Sequence, residues 1–354
     1  MLEPLQTWDG LGVVTRYDPA GAAWFFIALH DATLGPMVGG TRIRVYPTPT
    51  DGVRDAIRLA EGMTYKWAGI SVPYGGGKGV IALSRPLPPN EREPVLRRYG
   101  RLVASLGGRF MTGQDLGTTP DDMLVLAEET LHVHGIDYAT RQAIDPGPYT
   151  AFGVFVGIRA ALGVACGSPS PEGKRVLIQG VGDVGEPLAR RLAEDGAVVL
   201  VSDLDAGRAR RVAELVGGSV IPPAEVYQTA CDVYAPCAVG ATINQTTIPQ
   251  LACRVVAGSA NNQLAEPADA DRLHGRGILY APDYIVNAGG AAAFAALKRG
   301  VRDEPELYQR VGRIEGAIAA ILKEAADADE SPLAAARRRV DRVLRRGAPG
   351  TEPA

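Results

Sequence analysis

The sequence predicts an α/β fold in two domains, and three observations carry that prediction. The chain has 354 residues, enough for two units with separate cores at roughly 100 to 200 residues each. Residues 174–203, KRVLIQGVGDVGEPLARRLAEDGAVVLVSD, read as strand, glycine turn, amphipathic helix and second strand, one βαβ unit. Further short apolar runs recur after it, the pattern of a parallel sheet buried on both faces.

The first zone runs to residue 148 and opens with strand-like runs such as Ala22 to Leu29. From Asp51 to Trp67, the residues Val53, Ala56, Ile57, Ala60, Met63, Thr64 and Trp67 recur at three- and four-residue spacing. That is one face of a helix, with Lys66 in its last turn. PYGGGKGV follows, a proline and a glycine cluster feeding the strand Val80 to Leu83. Lys78 is therefore expected at a glycine-built turn, where backbone and ligand approach closely. A proline-rich break, Arg85 to Asn90, precedes a basic helix from Glu91 to Leu106. The loop Thr112 to Thr119 holds Asp115 and leads into Thr-Pro-Asp-Asp, a helix start signal. Asp145-Pro146-Gly147-Pro148 is a stiff connector and marks the domain boundary.

The second zone, residues 149–285, starts with a helix from Thr150 to Leu162 and then the strand Val176 to Gln179. Gly180, Gly182 and Gly185 form G-x-G-x-x-G between that strand and a helix, the context that gives this motif its meaning. The glycines supply a tight turn, bare backbone for a pyrophosphate and close helix–sheet packing, and the helix start offers amide donors. The second strand, Val198 to Val201, leads to Asp203, 18 residues past Gly185, where a carboxylate accepts ribose hydroxyls. An anion there repels a 2′-phosphate, and Leu204 and Asp205 follow, so the expected cofactor is NAD in a Rossmann-type domain. Arg208 and Arg210 nearby argue the other way. Runs at Val233 to Tyr234, Val255 to Ala257 and Ile278 to Tyr280 complete the sheet. Cys237 follows a strand end and either lines the cofactor crevice or packs as a small residue. Asn261 and Asn262 offer paired donors and acceptors for an amide or substrate, or simply form a turn.

Residues 286–330 are helical by pattern and are expected to pack back toward the first domain. Residues 331–354 read as an Arg-rich solvated helix with a frayed tail. With 37 basic and 40 acidic residues the net charge is −3, which gives nucleic acid and acidic membranes no support as partners. Hydrophobic residues at 46% and charged ones at 22% fit a globular enzyme. Four scattered cysteines suit a reducing compartment, and no metal site is expected. The first residues lack the pattern of a leader, and no run of about 18 uncharged apolar residues occurs, so a cytoplasmic location and no membrane are expected.

Lys66 and Lys78 stand in apolar or glycine-rich surroundings, unusual for surface lysines. Desolvation beside another cation lowers a lysine pKa and makes a general base, while a charged lysine suits a substrate carboxylate. On these residues alone, two snorkelling surface lysines are an equal reading, and Asp115 reads either as a ligand-side or a capping aspartate.

Taken in order, GGTR (Gly39 to Arg42), GMTYK (Gly62 to Lys66), GGGK (Gly75 to Lys78) and DLGTT (Asp115 to Thr119) resemble the amino-acid dehydrogenases of glutamate, leucine, valine and phenylalanine. So do TAFGV (Thr150 to Val154), GVGDVG (Gly180 to Gly185), APCAVGATIN (Ala235 to Asn244), ANNQL (Ala260 to Leu264) and APDYIVNAGG (Ala281 to Gly290). The resemblance implies an N-terminal α/β catalytic domain, a Rossmann-type domain and an active-site cleft between them. It implies NAD-dependent, reversible oxidative deamination of an L-amino acid to a 2-oxo acid and ammonia, by a homo-oligomer. Lys78 would activate water, Asp115 would exchange protons with the amine, and Lys66 would grip the α-carboxylate. Gly39, Gly40, Met63 and Asn262 would join Lys66 on the substrate. Arg42, Thr150, Val181, Asp183, Val184, Leu204, Cys237, Ala260 and Asn261 would join the three fingerprint glycines and Asp203 on the cofactor side.

Specificity is argued within the resemblance from Val38, Gly113, Ala291 and Phe294. Glutamate-type enzymes carry a lysine where this chain has Val38 and a serine where it has Phe294, so an acidic side chain finds no partner. Leucine-type enzymes tend to larger residues than Val38, Gly113 and Ala291. The expected substrate is therefore phenylalanine or another bulky apolar amino acid, with leucine and valine next. Gln114 and Trp67 depart from the family pattern. Two rivals stand beside this reading: a catalytically silent dinucleotide-binding protein on the same fold, and a hydroxy-acid or malic-type dehydrogenase.

Overall fold

The computed structural model describes residues 3–347, and the chain divides into two compact units, 1–145 with 340–354 and 146–339. In the first unit, β1 (Gly12–Asp18) and β2 (Ala23–Asp31) form an antiparallel pair. β3 (Met37–Val38) and β4 (Thr41–Val45) follow, then α1 (Pro49–Gly69), β5 (Gly75–Leu83), α2 (Pro89–Ser105), β6 (Phe110–Met111) and α3 (Pro120–Glu129). A short hairpin, β7 (Ile136–Asp137) and β8 (Gln142–Ala143), closes the unit's first stretch. Sheet order is β1-β2-β5-β3-β6, with β4 also on β5, so β5 is its centre.

The sheet alternates faces, as strand geometry requires. Phe26, Ala28, Val80 and Ala82 meet Val53, Ala56, Ile57 and Ala60 of α1. Phe25, Ile27, Ile43 and Ile81 meet Leu96, Tyr99 and Val103 of α2 and Met123 and Leu126 of α3. Both α1 and α3 start at capping boxes, Thr48 with Asp51 and Thr119 with Asp122, each with proline just inside.

The expectation that Lys78 lies at a turn before a strand starting at Val80 is corrected: β5 begins at Gly75, and Lys78 is in mid-strand opposite Ala28. The glycines are there because neighbours come too close for side chains. A Cβ at Gly76 would lie 2.0 Å from Thr64 Oγ1 of α1, and one at Gly79 2.0 Å from the Tyr99 hydroxyl of α2.

In the second unit α4 (Gly147–Cys166) leads into β9 (Arg175–Gln179), α5 (Gly185–Glu194), β10 (Val198–Ser202), α6 (Ala206–Val216) and β11 (Ser219–Val220). β12 (Val233–Pro236), β13 (Val255–Val256), α7 (Ala268–Gly275) and β14 (Leu279–Tyr280) complete the sheet. All its pairings are parallel, in the order β11-β10-β9-β12-β13-β14. This is the doubly wound order, with the chain reversing direction across the sheet between β9 and β12. α8 (Asp283–Val286), α9 (Gly289–Lys298), α10 (Glu304–Ala328) and α11 (Pro332–Arg346) follow.

In the C-terminal third, residues 286–330 belong to the second unit, where α9 and α10 pack on α4, and the expectation of a solvated Arg-rich helix is corrected. The Arg-rich segment is a helix to Arg346, with Leu333, Ala335, Ala336 and Val340 buried. From residue 340 it counts with the first unit, where Val340, Val343 and Leu344 pack on Leu34, Tyr65 and Ala68. The part of the frayed-tail expectation on residues 348–354 lies outside the described residues. α4 is long and apolar enough to cross a membrane by length and composition. Its apolar residues, among them Val154, Ile158 and Leu162, are instead covered by neighbouring elements of the second unit, which explains its composition as that of a core helix.

Candidate active site

In the first unit three sequence distances collapse onto one point. β4 lies beside β5, and the loop after β6 comes back over it, with Thr41 N–H donating to Gly113 C=O at 2.8 Å. Gly39 and Gly40 permit this. A Cβ on Gly39 would lie 1.8 Å from Gly77 O and 3.0 Å from Met63 Cγ, and one on Gly40 2.8 Å from Asp115 Cβ. Met63 therefore stands at the double glycine, and Lys66, three residues on along α1, is half-buried one turn later on that side.

Lys78 Nζ sits 3.2 Å from Asp115 Oδ1, and Arg42 Nε donates to Asp115 Oδ2 at 2.9 Å. The side chains of Lys78, Arg42 and Asp115 are 6%, 10% and 14% exposed. Burial pushes the Lys78 amine down from its ordinary value, with Asp115 opposing and Arg42 adding to the shift. Burial raises Asp115, but the charges of Lys78 and Arg42 outweigh it and hold the carboxylate below its ordinary value. Its loop is pinned by Thr118, whose hydroxyl accepts the Asp115 N–H at 2.8 Å and lies 3.1 Å from Thr41 C=O.

Arg42, assigned by resemblance to the cofactor side, has its guanidinium between two carboxylates. Its Nη1 donates to Asp55 Oδ2 at 2.9 Å. Asp55 also accepts from the Tyr46 hydroxyl at 2.6 Å and from Arg58 at 2.8 Å. Asp55 and Tyr46 were not found by sequence reasoning. At i,i+3, Asp55 and Arg58 read as a surface pair, and only the packing of α1 on the sheet turns Asp55 inward. Trp67, the departure from the family pattern, is 2% exposed. Its indole N–H donates to Val38 C=O at 2.9 Å, so it ties α1 to β3 at a candidate specificity residue. Val38 and Gly113 are both buried, and a Cβ at Gly113 would meet only His134, at an ordinary 3.5 Å.

In the second unit the fingerprint has three different glycines. Gly180 has φ +94°, and a Cβ there would lie 2.7 Å from Ala238 Cβ. A Cβ on Gly185 would lie 1.9 Å from Gly180 O, which brings α5 hard against the turn. Gly182 faces open space, with nothing within 4 Å of such an atom. No side chain caps α5, whose Glu186 N–H donates to Gly182 C=O at 3.0 Å and whose Pro187 has no N–H. Asp203 Oδ2 accepts Val181 N–H at 2.9 Å, and its other oxygen accepts the Asp205 amide at 2.9 Å, so the carboxylate ties the glycine turn at Val181 to the end of β10. Leu204 is 93% exposed.

At the carboxyl ends of β12 and β13, Cys237 follows the strand and Ala260 N–H donates to Pro236 C=O at 2.9 Å. Burial pushes the Cys237 thiol up, away from reactivity. Asn262 has φ +53°, and Asn261 Oδ1 accepts from Asn287 Nδ2 at 2.8 Å. Thr150 Oγ1 donates to Pro146 C=O and accepts Gly290 N–H at 3.2 Å, clamping α9 to α4. Ala291 and Phe294 lie one turn apart on α9, half-buried and buried. Gly180 to Gly185, Asp203, Cys237 and Asn261 thus gather around the strand ends where a doubly wound sheet binds dinucleotides. Among the described residues no group of three or more His, Cys, Asp or Glu is placed to hold a metal.

Two family models match the chain: the Glu/Leu/Phe/Val dehydrogenase dimerisation domain over residues 22–132, and glutamate/leucine/phenylalanine/valine dehydrogenase over residues 147–343. A leucine dehydrogenase of Bacillus subtilis is 44% identical over 319 residues, 90% of this chain and 87% of that protein. A phenylalanine dehydrogenase of Lysinibacillus sphaericus is 42% identical over 284 residues, 78% and 74% of the two chains. The crystal structure of L-tryptophan dehydrogenase from Nostoc punctiforme superposes with a TM-score of 0.83 at 38% identity, covering 98% of this chain and 99% of that one.

Proposed function

The chain belongs to the Glu/Leu/Phe/Val dehydrogenase family of nicotinamide-dependent oxidoreductases, and from that premise we propose that it deaminates a bulky apolar L-amino acid with NAD. The observation that carries the mechanism is the buried contact of Lys78 with Asp115, 3.2 Å apart. NAD supplies the acceptor for the hydride that leaves Cα. Lys78, whose ammonium form burial disfavours, acts through its neutral amine and takes a proton from the water that attacks the iminium carbon. Asp115 holds and exchanges the proton that the departing amine needs. Lys66 pairs with the α-carboxylate, and Met63, Gly39, Gly40 and Asn262 complete the grip on the substrate.

The fingerprint fits a dinucleotide, with Gly182 leaving room for a pyrophosphate at the uncapped start of α5. Asp203 supports NAD over NADP, because a 2′-phosphate beside it meets a fixed anion. Cys237, Ala260, Asn261 and Thr150 are assigned to the nicotinamide half. Val38 and Gly113, with Ala291 and Phe294 on α9, are assigned to the substrate side chain. The small residues Val38, Gly113 and Ala291 favour phenylalanine or a larger ring, with leucine and valine next. The first matched region is a dimerisation domain by description, which supports a homo-oligomer, and a cytoplasmic location is proposed from the four scattered cysteines of the sequence.

The test is NADH consumption with ammonia and phenylpyruvate, indolepyruvate, 4-methyl-2-oxopentanoate, 3-methyl-2-oxobutanoate and 2-oxoglutarate. Activity that needs ammonia and is highest on the aromatic acids is expected. Reduction without ammonia points to a hydroxy-acid dehydrogenase, and NADH binding with no turnover on any acid points to a silent member of the family.

A further inference from the structure

We propose that Asp55 is a positioning residue for this reaction, one that divides the charge of Arg42 between two carboxylates so that Asp115 keeps its proton-exchange role. The proposal rests on the roles given above to Lys78 and Asp115. Four contacts carry it. Arg42 reaches Asp115 with Nε and Asp55 with Nη1, both at 2.9 Å, while Tyr46 at 2.6 Å and Arg58 at 2.8 Å fix the Asp55 carboxylate. The Arg42 and Asp55 side chains are 10% and 11% exposed, so solvent screens the arrangement little.

Arg42 with Asp115 alone would be a closed one-to-one pair, and a buried guanidinium given wholly to one carboxylate makes that carboxylate a poor proton acceptor. Asp55 takes up part of the guanidinium's charge and hydrogen bonds. The charged groups that act on Lys78 are Asp115 from the 112–119 loop, Arg42 from β4 and Asp55 from α1 among the described residues. Removing the Asp55 charge therefore exposes Lys78 and Asp115 to more of the Arg42 field, and both lose proton affinity. Asp55 also lines an open cleft of about 350 Å³ with Arg44, Tyr46, Pro47 and Arg58 among its walls. A small carboxylate has room to reach the place of a deleted Asp55 side chain.

The experiment compares wild type, Asp55→Asn and Asp55→Ala in the ammonia-dependent assay across pH. In Asp55→Asn, kcat is expected to fall on the order of tenfold, with the dinucleotide KM unchanged. Lys78 must be neutral, so activity is lost as pH falls through its pKa, and the acid limb of kcat/KM is expected at lower pH in the variant. In Asp55→Ala, added formate is expected to restore part of kcat while chloride at equal ionic strength does not. An unmoved acid limb, whatever the melting temperature does, or equal responses to formate and chloride would overturn the proposal. An active wild type with those results sinks the role of Asp55 alone, whereas a wild type without ammonia-dependent activity sinks the functional reading beneath it.

Discussion

At the scale of single residues the chemistry is electrostatic. A lysine acts as a base only through its neutral amine, and Lys78 is pushed toward that form by desolvation, with Asp115 opposing and Arg42 adding to the shift. Lys78→Ala is expected to cut turnover by at least about a hundredfold while fluorescence titration shows NADH binding unchanged. Normal turnover in that variant would remove Lys78 from the mechanism. The same charges enter stability. Asp55 and Asp115 are both held below their ordinary 3.8 despite burial, so each contributes stability that is present above that value and lost as pH falls through the folded one. Denaturation midpoints in urea are expected to fall below about pH 4, and Asp55→Asn to flatten that fall. A variant with the wild-type acid profile would mean that Asp55 does not titrate differently on folding.

At the scale of elements β5 is shaped by what touches it. Its glycines let α1 and α2 approach the strand backbone, so Gly76→Ala, with its Cβ 2.0 Å from Thr64 Oγ1, is expected to cost about 1–3 kcal/mol in chemical denaturation. Gly113→Ala is the control in the same unit: its Cβ meets only His134 at contact distance, so stability is expected to stay put. Its effect belongs to the substrate, with the ratio of phenylpyruvate to 4-methyl-2-oxopentanoate activity falling by roughly tenfold. An unchanged ratio would take Gly113 out of the specificity pocket. The glycine-rich run was legible as a place of close approach, but not as a strand, because pattern alone does not separate a turn that needs flexible backbone from a strand whose neighbours leave no room for Cβ. Asp55 was illegible for a related reason. Its i,i+3 pair with Arg58 lies within one helix, but its second cation, Arg42, is 13 residues away on another element.

At the scale of the molecule the two units have separate cores, the mixed sheet with α1, α2 and α3, and the parallel sheet with its helices. Calorimetry is expected to resolve a transition that NADH raises, the unfolding of the second unit. At a hundred times Kd the stabilisation is about 2.7 kcal/mol, and Gly182→Asp is expected to abolish it. A shift that survives Gly182→Asp would place the dinucleotide elsewhere. The end of α11 adds a different constraint. Val340 is fully buried against Leu34 and Ala68, so Val340→Ala is expected to lower the first unit's stability by about 1–2 kcal/mol.

The α/β class, the doubly wound second unit and the reaction family were all legible along the chain. Those rest on local spacing: a strand, three glycines, a helix and an aspartate within one βαβ unit, and short motifs whose order a single chain displays. Packing between distant elements was needed to show that Lys78 is a mid-strand residue, that Arg42 is shared by Asp115 and Asp55, and that Trp67 holds Val38. It was needed too for the placing of α9 and α10 on α4. Each of these depends on which backbone comes within about 3 Å of another, and periodicity along one chain carries no record of contacts between elements far apart in sequence.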